Sequence, residues 1–125
     1  MEAVYTNQAP EAIGPYSQAV KVGNLVFTSG QIPIDPATGA VSGETIEIQT
    51  EQVCKNLSAV LEAAGSSLQN VVKTVCFLSD MDNFAAFNSV YSKYFTGKPA
   101  RSCVAVKTLP KQVLIEIDTI AEISE

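Results

Sequence analysis

The chain contains a single arginine, Arg101, among its 125 residues. It stands in a β-like stretch near the C-terminus, and a second such stretch carries Glu116 inside the apolar run Val113-Leu114-Ile115-Glu116-Ile117. The turn-forming Thr108-Leu109-Pro110-Lys111 lies between them. An arginine and a glutamate on paired strands could hold a small carboxylate and a water side by side. The guanidinium fork suits a planar carboxylate in bidentate geometry, and a carboxylate can take a proton from water.

Alternation along the strands gives this pair an expected geometry. Side chains point to opposite faces with period two. In the second stretch Val113, Ile115, Ile117 and Ile123 are apolar, whereas the even positions include Glu116, Asp118 and Glu122. The odd face is therefore expected to pack on the core. In the first stretch Val104 and Val106 form the apolar face, and Arg101, Cys103 and Ala105 point the other way. A hairpin turning near Leu109-Pro110 satisfies both patterns if Cys103 lies opposite Glu116, since opposed residues share a face. Arg101, Cys103 and Glu116 then converge on the face away from the core. The plainer alternative is that Arg101 and Glu116 are solvated surface charges.

Composition narrows the chemistry. There is no histidine, which removes a Ser-His or Cys-His nucleophile pair and the commonest transition-metal ligand. The three cysteines, Cys54, Cys76 and Cys103, are odd in number and show no Cys-x-x-Cys spacing, so disulfides and a thiolate zinc site are disfavoured. Acid–base work falls to Glu, Asp, Tyr, Lys, Cys, backbone or water. The net charge of −5 and the scattered lysines argue against phosphate-backbone binding, which needs clustered cations. No apolar run reaches the length of a membrane span. Met1-Glu2-Ala3-Val4 lacks the basic and apolar segments of a secretion signal. The expectation is a cytoplasmic protein of one domain over residues 1–125.

The elements that must position these groups are expected in the order β-β-β-α-β-α-β-β. A weak strand lies near Val4-Thr6. Two strands, 16–22 and 25–32, flank the hairpin signal Gly23-Asn24. Gly30, at the end of the second, marks either a β-bulge or a close approach of another group. A loop covers 33–43. The helix over 45–64 carries Val53, Leu57, Val60, Leu61 and Ala64 on one stripe, and Gly65 caps it. The apolar stretch 71–78 is expected as a central strand, with Lys73 near an end or snorkelling. Asp80 or Asp82 caps a second helix over 83–95, whose buried face is Phe84, Phe87, Tyr91 and Phe95. Asn88, one turn from Phe84 and Tyr91, is expected to tie to a nearby loop. The result is an α+β two-layer sandwich with two helices on one face of a mixed sheet. The other face is too apolar for plain surface, and self-association would cover it.

Several stretches resemble the Rid (YjgF) family, specifically its RidA subfamily. They are Gly14-Pro15-Tyr16-Ser17-Gln18-Ala19, Ser29-Gly30-Gln31-Ile32-Pro33, Asn83-Phe84 with Asn88, Pro99-Ala100-Arg101-Ser102-Cys103-Val104, Leu109-Pro110 and Ile115-Glu116-Ile117. They run in family order over nearly the whole chain. The resemblance implies a chorismate-mutase-like fold and a homotrimer with clefts between subunits. It implies hydrolysis of 2-imino acids, formed from 2-aminoacrylate-type enamines, to 2-oxo acids and ammonia, with no cofactor and no metal. Arg101 would clamp the substrate carboxylate and Glu116 would hold or activate the attacking water. Tyr16 would close the pocket. Ser29, Gly30, Ser102 and Cys103 would line it, with Asn88 in support. With no histidine to activate its thiol, Cys103 reads as lining rather than nucleophilic.

Three other activities compete. A trimer of carboxylate-clamping clefts could sense 2-oxo acids without catalysis, although a pure carboxylate binder gains nothing from Glu116. Ribonuclease activity, attributed to some relatives, is disfavoured by the acidic charge and absent histidine. A chorismate mutase would need several cations for its dicarboxylate, and the single arginine disfavours it.

Overall fold

The computed structural model describes residues 1–124. Strands β1 (Glu2–Val4), β2 (Ala19–Val22) and β3 (Leu25–Thr28) precede helix α1 (Ile46–Ala63). Strand β4 (Val71–Leu78), helix α2 (Phe84–Tyr94), β5 (Ala100–Ala105) and β6 (Ile115–Glu122) complete the chain. The element order agrees with the sequence reading. The two helices pack on one six-stranded mixed sheet of order β1-β2-β3-β6-β4-β5.

Local chemistry explains the helices. Thr45 accepts the Ile48 amide at its side-chain oxygen (3.2 Å) and so starts α1. Gly65, at φ +86°, ends it. Its amide bonds Glu62 O (3.0 Å), and the Ser66 amide bonds Leu61 O (2.8 Å), the paired closure that favours glycine. Val53, Leu57, Val60 and Leu61 are fully buried as one stripe, as the spacing required. Asp80 does not cap α2 itself. It accepts the Asp82 amide (2.8 Å) and starts the single 3₁₀ turn Met81–Asn83 from which α2 continues.

Strand pairing departs from expectation. The C-terminal strands do not form a hairpin. β5 lies parallel to β4, with Cys103 opposite Cys76, and β6 lies antiparallel on the other side of β4, with Glu116 opposite Phe77. The cause is α2: a crossover helix between β4 and β5 returns the chain parallel to its start. β2 is also shorter than expected. Residues 16–18 form a loop, pinned because Gln18 Nε2 donates to Pro10 O (2.8 Å) and Thr6 O (3.0 Å). Lys73 sits half-exposed near the start of β4, where the register shifts.

The faces follow from the register. Thr74, Cys76, Ile117 and Thr119 are buried under the helices, and Arg101 and Cys103 share their row. The other face carries Phe77, Val75, Glu116, Asp118, Ser102 and Val104. Val104, expected on the core, is 47% exposed. The open face mixes half-exposed apolar groups with carboxylates; the alternation of β6 held, whereas that of β5 is reversed, with Arg101 and Cys103 under the helices. Among the described residues, no helix is long and apolar enough to cross a membrane.

Candidate active site

Arg101 is built into the edge of the core. It projects from β5 onto α2, where its guanidinium carbon lies 4.8 Å from the Tyr91 ring centroid and 5.5 Å from that of Phe84. Both distances are within cation–π range. Nη1 donates to Asn88 Oδ1 at 2.7 Å. Asn88 therefore ties to a strand arginine and not to a loop. Tyr91 is itself fixed, since its hydroxyl lies 2.8 Å from Thr74 Oγ1 on β4. Two sides of the guanidinium are thus occupied by an amide and aromatic faces. Among the described residues no carboxylate lies within ion-pair distance of it.

Sequence reasoning gave Tyr91 only a core role and missed Thr74. The signal for Tyr91 was present. It stands three residues after Asn88, so a side chain held by Asn88 meets its ring one turn on.

Glu116 belongs to a different place. It is half-buried on the open face, and its carboxylate lies against Gly30: a Cβ added at Gly30 would fall 2.9 Å from Glu116 Cδ. The glycine thus marks a close approach and not only a bend. Burial, and then the negative charge of Asp118, push the Glu116 carboxyl above its ordinary range. Burial raises Asp118 as well, with Lys73 opposing. The start of β6 is held by Gln49, whose side-chain oxygen accepts the Leu114 amide (2.8 Å). The segment after Gly30 is held by Asn56, which donates to Ile32 O (3.2 Å) and Ile34 O (3.0 Å).

The expected convergence of Arg101, Cys103 and Glu116 on one face is therefore overturned. Arg101 and Cys103 lie on the helix-covered face and Glu116 on the open one, because a parallel β5 sets Cys103 opposite Cys76 and not opposite Glu116. Ser102 and Glu116 share the open face, two strands apart.

Tyr16 and Gly30 border one cleft on the Glu116 side, and Cys103 stays on the Arg101 side. Tyr16 is 53% exposed and borders a cleft of about 330 Å³ that also takes in Gly30, Ile13 and Ile32. Ser29 Oγ donates to Ser17 O (2.6 Å) and so fastens the Tyr16 loop to β3. Cys103 is half-buried, and its thiol is raised by burial, with Arg101 pulling it down. Cys76 opposite it is pushed up to about 12, chiefly by burial. These thiols stay protonated near neutrality and are weak nucleophiles. Among the described residues no cluster of His, Cys, Asp and Glu is placed to hold a metal ion.

One chain thus places a braced cation and a raised carboxylate on opposite faces of the sheet, the carboxylate against the Gly30 that borders the Tyr16 cleft. Comparison with known proteins identifies the family. The profile of the family described as Endoribonuclease L-PSP matches residues 6–123. A Salmonella typhimurium protein named 2-iminobutanoate/2-iminopropanoate deaminase is 48% identical over 124 residues, covering 96% of each chain. Two Pyrococcus relatives, each 54% identical over 121 residues, carry only the name RutC family protein. The crystal structure of a Thermotoga maritima protein superposes with a TM-score of 0.96 at 56% identity, covering 100% of this chain and 99% of that one. Escherichia coli TdcF, solved with bound serine, gives 0.94 at 41% identity, covering 99% and 100%.

Proposed function

The chain belongs to the endoribonuclease L-PSP family, the Rid (YjgF) proteins, and on that premise we propose that it hydrolyses 2-imino acids to 2-oxo acids and ammonia. The observation that carries this reading is the state of Arg101. The guanidinium is braced by Asn88 and Tyr91 yet has no carboxylate partner among the described residues, which is the condition of a clamp awaiting an anionic ligand. The deaminase name of the Salmonella relative and the serine bound to TdcF agree with a small amino- or imino-acid ligand.

Arg101 and Glu116 face opposite ways in one chain, so the working cleft joins Arg101 of one copy to Glu116 of another. A homotrimer associating over the open sheet faces supplies such clefts. The substrate carboxylate pairs with Arg101, fixing the imine carbon. Glu116 takes a proton from water as the oxygen bonds to that carbon, and returns it to nitrogen. The carbon–nitrogen bond of the resulting carbinolamine then breaks as Glu116 takes the hydroxyl proton, a carbonyl forms, and ammonia leaves. Tyr16 closes the cleft, while Ser29, Gly30, Ser102 and Cys103 line it. Positioning supplies much of the rate because a protonated imine is already electrophilic. The endoribonuclease description gains no support from an acidic chain without histidine.

The test is a coupled assay in which a threonine dehydratase generates 2-iminobutanoate and 2-oxobutanoate release is followed. The protein should accelerate release. No acceleration by folded, assembled protein would remove the deaminase reading and leave a carboxylate-binding protein.

Two variants probe the lining in the same assay. Cys103→Ser should retain near-normal turnover, because a protonated thiol with no neighbouring base has no covalent role. Loss of turnover with the oligomer intact would overturn that. Gly30→Ala should lower turnover at least tenfold, since the new methyl displaces the Glu116 carboxylate. Normal turnover would show that this close approach has no part in the reaction.

A further inference from the structure

The cleft beside Arg101, about 300 Å³, is lined by a second basic residue. Lys98 lines it together with Arg101, Ser92, Thr96 and an aromatic wall of Tyr91 and Phe95. No acidic residue lines it, in a chain whose net charge is −5. Two basic residues and no acidic one on a small cleft with an aromatic wall favour an anion carrying more than one charged group.

The backbone supports the placement. Lys98 adopts φ +54°, a left-handed conformation that disfavours side chains longer than Asn or Asp. The turn that imposes it is fixed on both sides. Its amide bonds Phe95 O (3.3 Å), and a Cβ at the preceding Gly97 would fall 2.9 Å from Gln69 O. Pro99 follows directly. A lysine is thus held on a rigid turn where glycine would be less strained, three residues from the clamp. Among the described residues neither cation has an ion-pair partner.

We infer that the site takes 2-imino acids bearing a second carboxylate on the side chain, with Arg101 on the α-carboxylate and Lys98 on the distal one. This rests on the carboxylate-clamp reading above, and it names a substrate class, the 2-imino dicarboxylates, that hydrolyse to 2-oxo diacids. Such substrates come from reactions that oxidise the Cα–N bond of acidic amino acids, or that eliminate a β-substituent across the Cα–Cβ bond of β-substituted ones to an enamine that tautomerises to the imine.

Calorimetric binding of 2-oxoglutarate and 2-oxobutanoate tests it, with wild type, Lys98→Gln, Lys98→Glu and Arg101→Ala compared as intact oligomers. Wild type should prefer the diacid. The ratio of the two affinities should fall roughly tenfold in Lys98→Gln, the loss of one charge contact of about 1.4 kcal/mol, and fall further in Lys98→Glu. Added salt should weaken diacid binding more than monoacid binding. An unchanged ratio in both Lys98 variants, with Arg101→Ala still abolishing binding, would overturn the role of Lys98 and leave the clamp standing. Absence of binding to wild type, or binding indifferent to Arg101→Ala, would overturn the clamp and this inference with it. A lysine that only neutralises the carbonyl end of α2 would alter thermal stability and leave the ratio unmoved.

Discussion

Arg101→Ala is expected to lower kcat/KM for 2-iminobutanoate by about a hundredfold to ten-thousandfold. Hydrogen bonds to charged groups are worth about 1.5–3 kcal/mol each, and a bidentate clamp makes two of them. Arg101→Lys should recover only part of the loss, because an ammonium gives a point charge and no fork, and it cannot reproduce both the Asn88 bond and the stacking on Tyr91. Steady-state kinetics beside a melting curve will separate catalysis from folding. Truncation leaves Asn88 Oδ1 without its donor at a half-exposed site, so the fold should survive. Activity within tenfold of wild type in a well-assembled Arg101→Ala protein would remove the clamp.

The second large effect belongs to Glu116. Glu116→Gln keeps the shape and the fit against Gly30 but cannot take a proton. General-base catalysis typically contributes about 10²–10⁴-fold, and a loss of that order is expected. Melting temperature provides the contrast. Burial and Asp118 raise the native carboxyl above its ordinary value, so between the unfolded and the native pKa the folded chain holds more proton than the unfolded one. Stability from this group is therefore greatest at low pH and declines as pH rises through that window. The neutral amide avoids this penalty, and the variant should melt no lower than wild type at neutral pH. Activity has the opposite dependence. The base must be ionised, so kcat/KM should rise with pH through the raised pKa, and that limb should vanish in Glu116→Gln. An unaltered pH profile in the variant would assign the base elsewhere.

Much of the architecture was legible from local patterns. The α1 stripe, the Thr45 start and the Gly65 end lie within a few turns of one another, and helical hydrogen bonds and caps are local interactions. The odd face of β6 was equally readable, since Ile115 and Ile117 alternate with Glu116 and Asp118 over a few residues. The identities of Arg101, Glu116, Asn88 and Gly30 were visible as rare or misplaced types in their surroundings.

The partners of β5 were not legible in the same way. Alternation tells which residues share a face and leaves open which strand lies next door. Leu109-Pro110 suggested a hairpin, yet that segment spans the end of the sheet past β4 and is no tight turn. The relevant signal was the helix between β4 and β5, which demands a parallel return. Arg101 misled for a related reason. A charge suggests a polar face, but its guanidinium plane lies on the aromatic rings of α2 and covers the core edge as an apolar group would.

The sequence by itself thus determined the elements, their caps, the core stripes and the chemical groups available for reaction, all of which depend on near neighbours along the chain. Only the tertiary structure decided that β4 separates β5 from β6, that Arg101 and Glu116 stand on opposite faces of the sheet, and that Tyr91 and Asn88 brace the guanidinium. Those relations join residues distant in sequence. They depend on sheet order and crossover direction, which packing of the whole chain selects and no local pattern encodes.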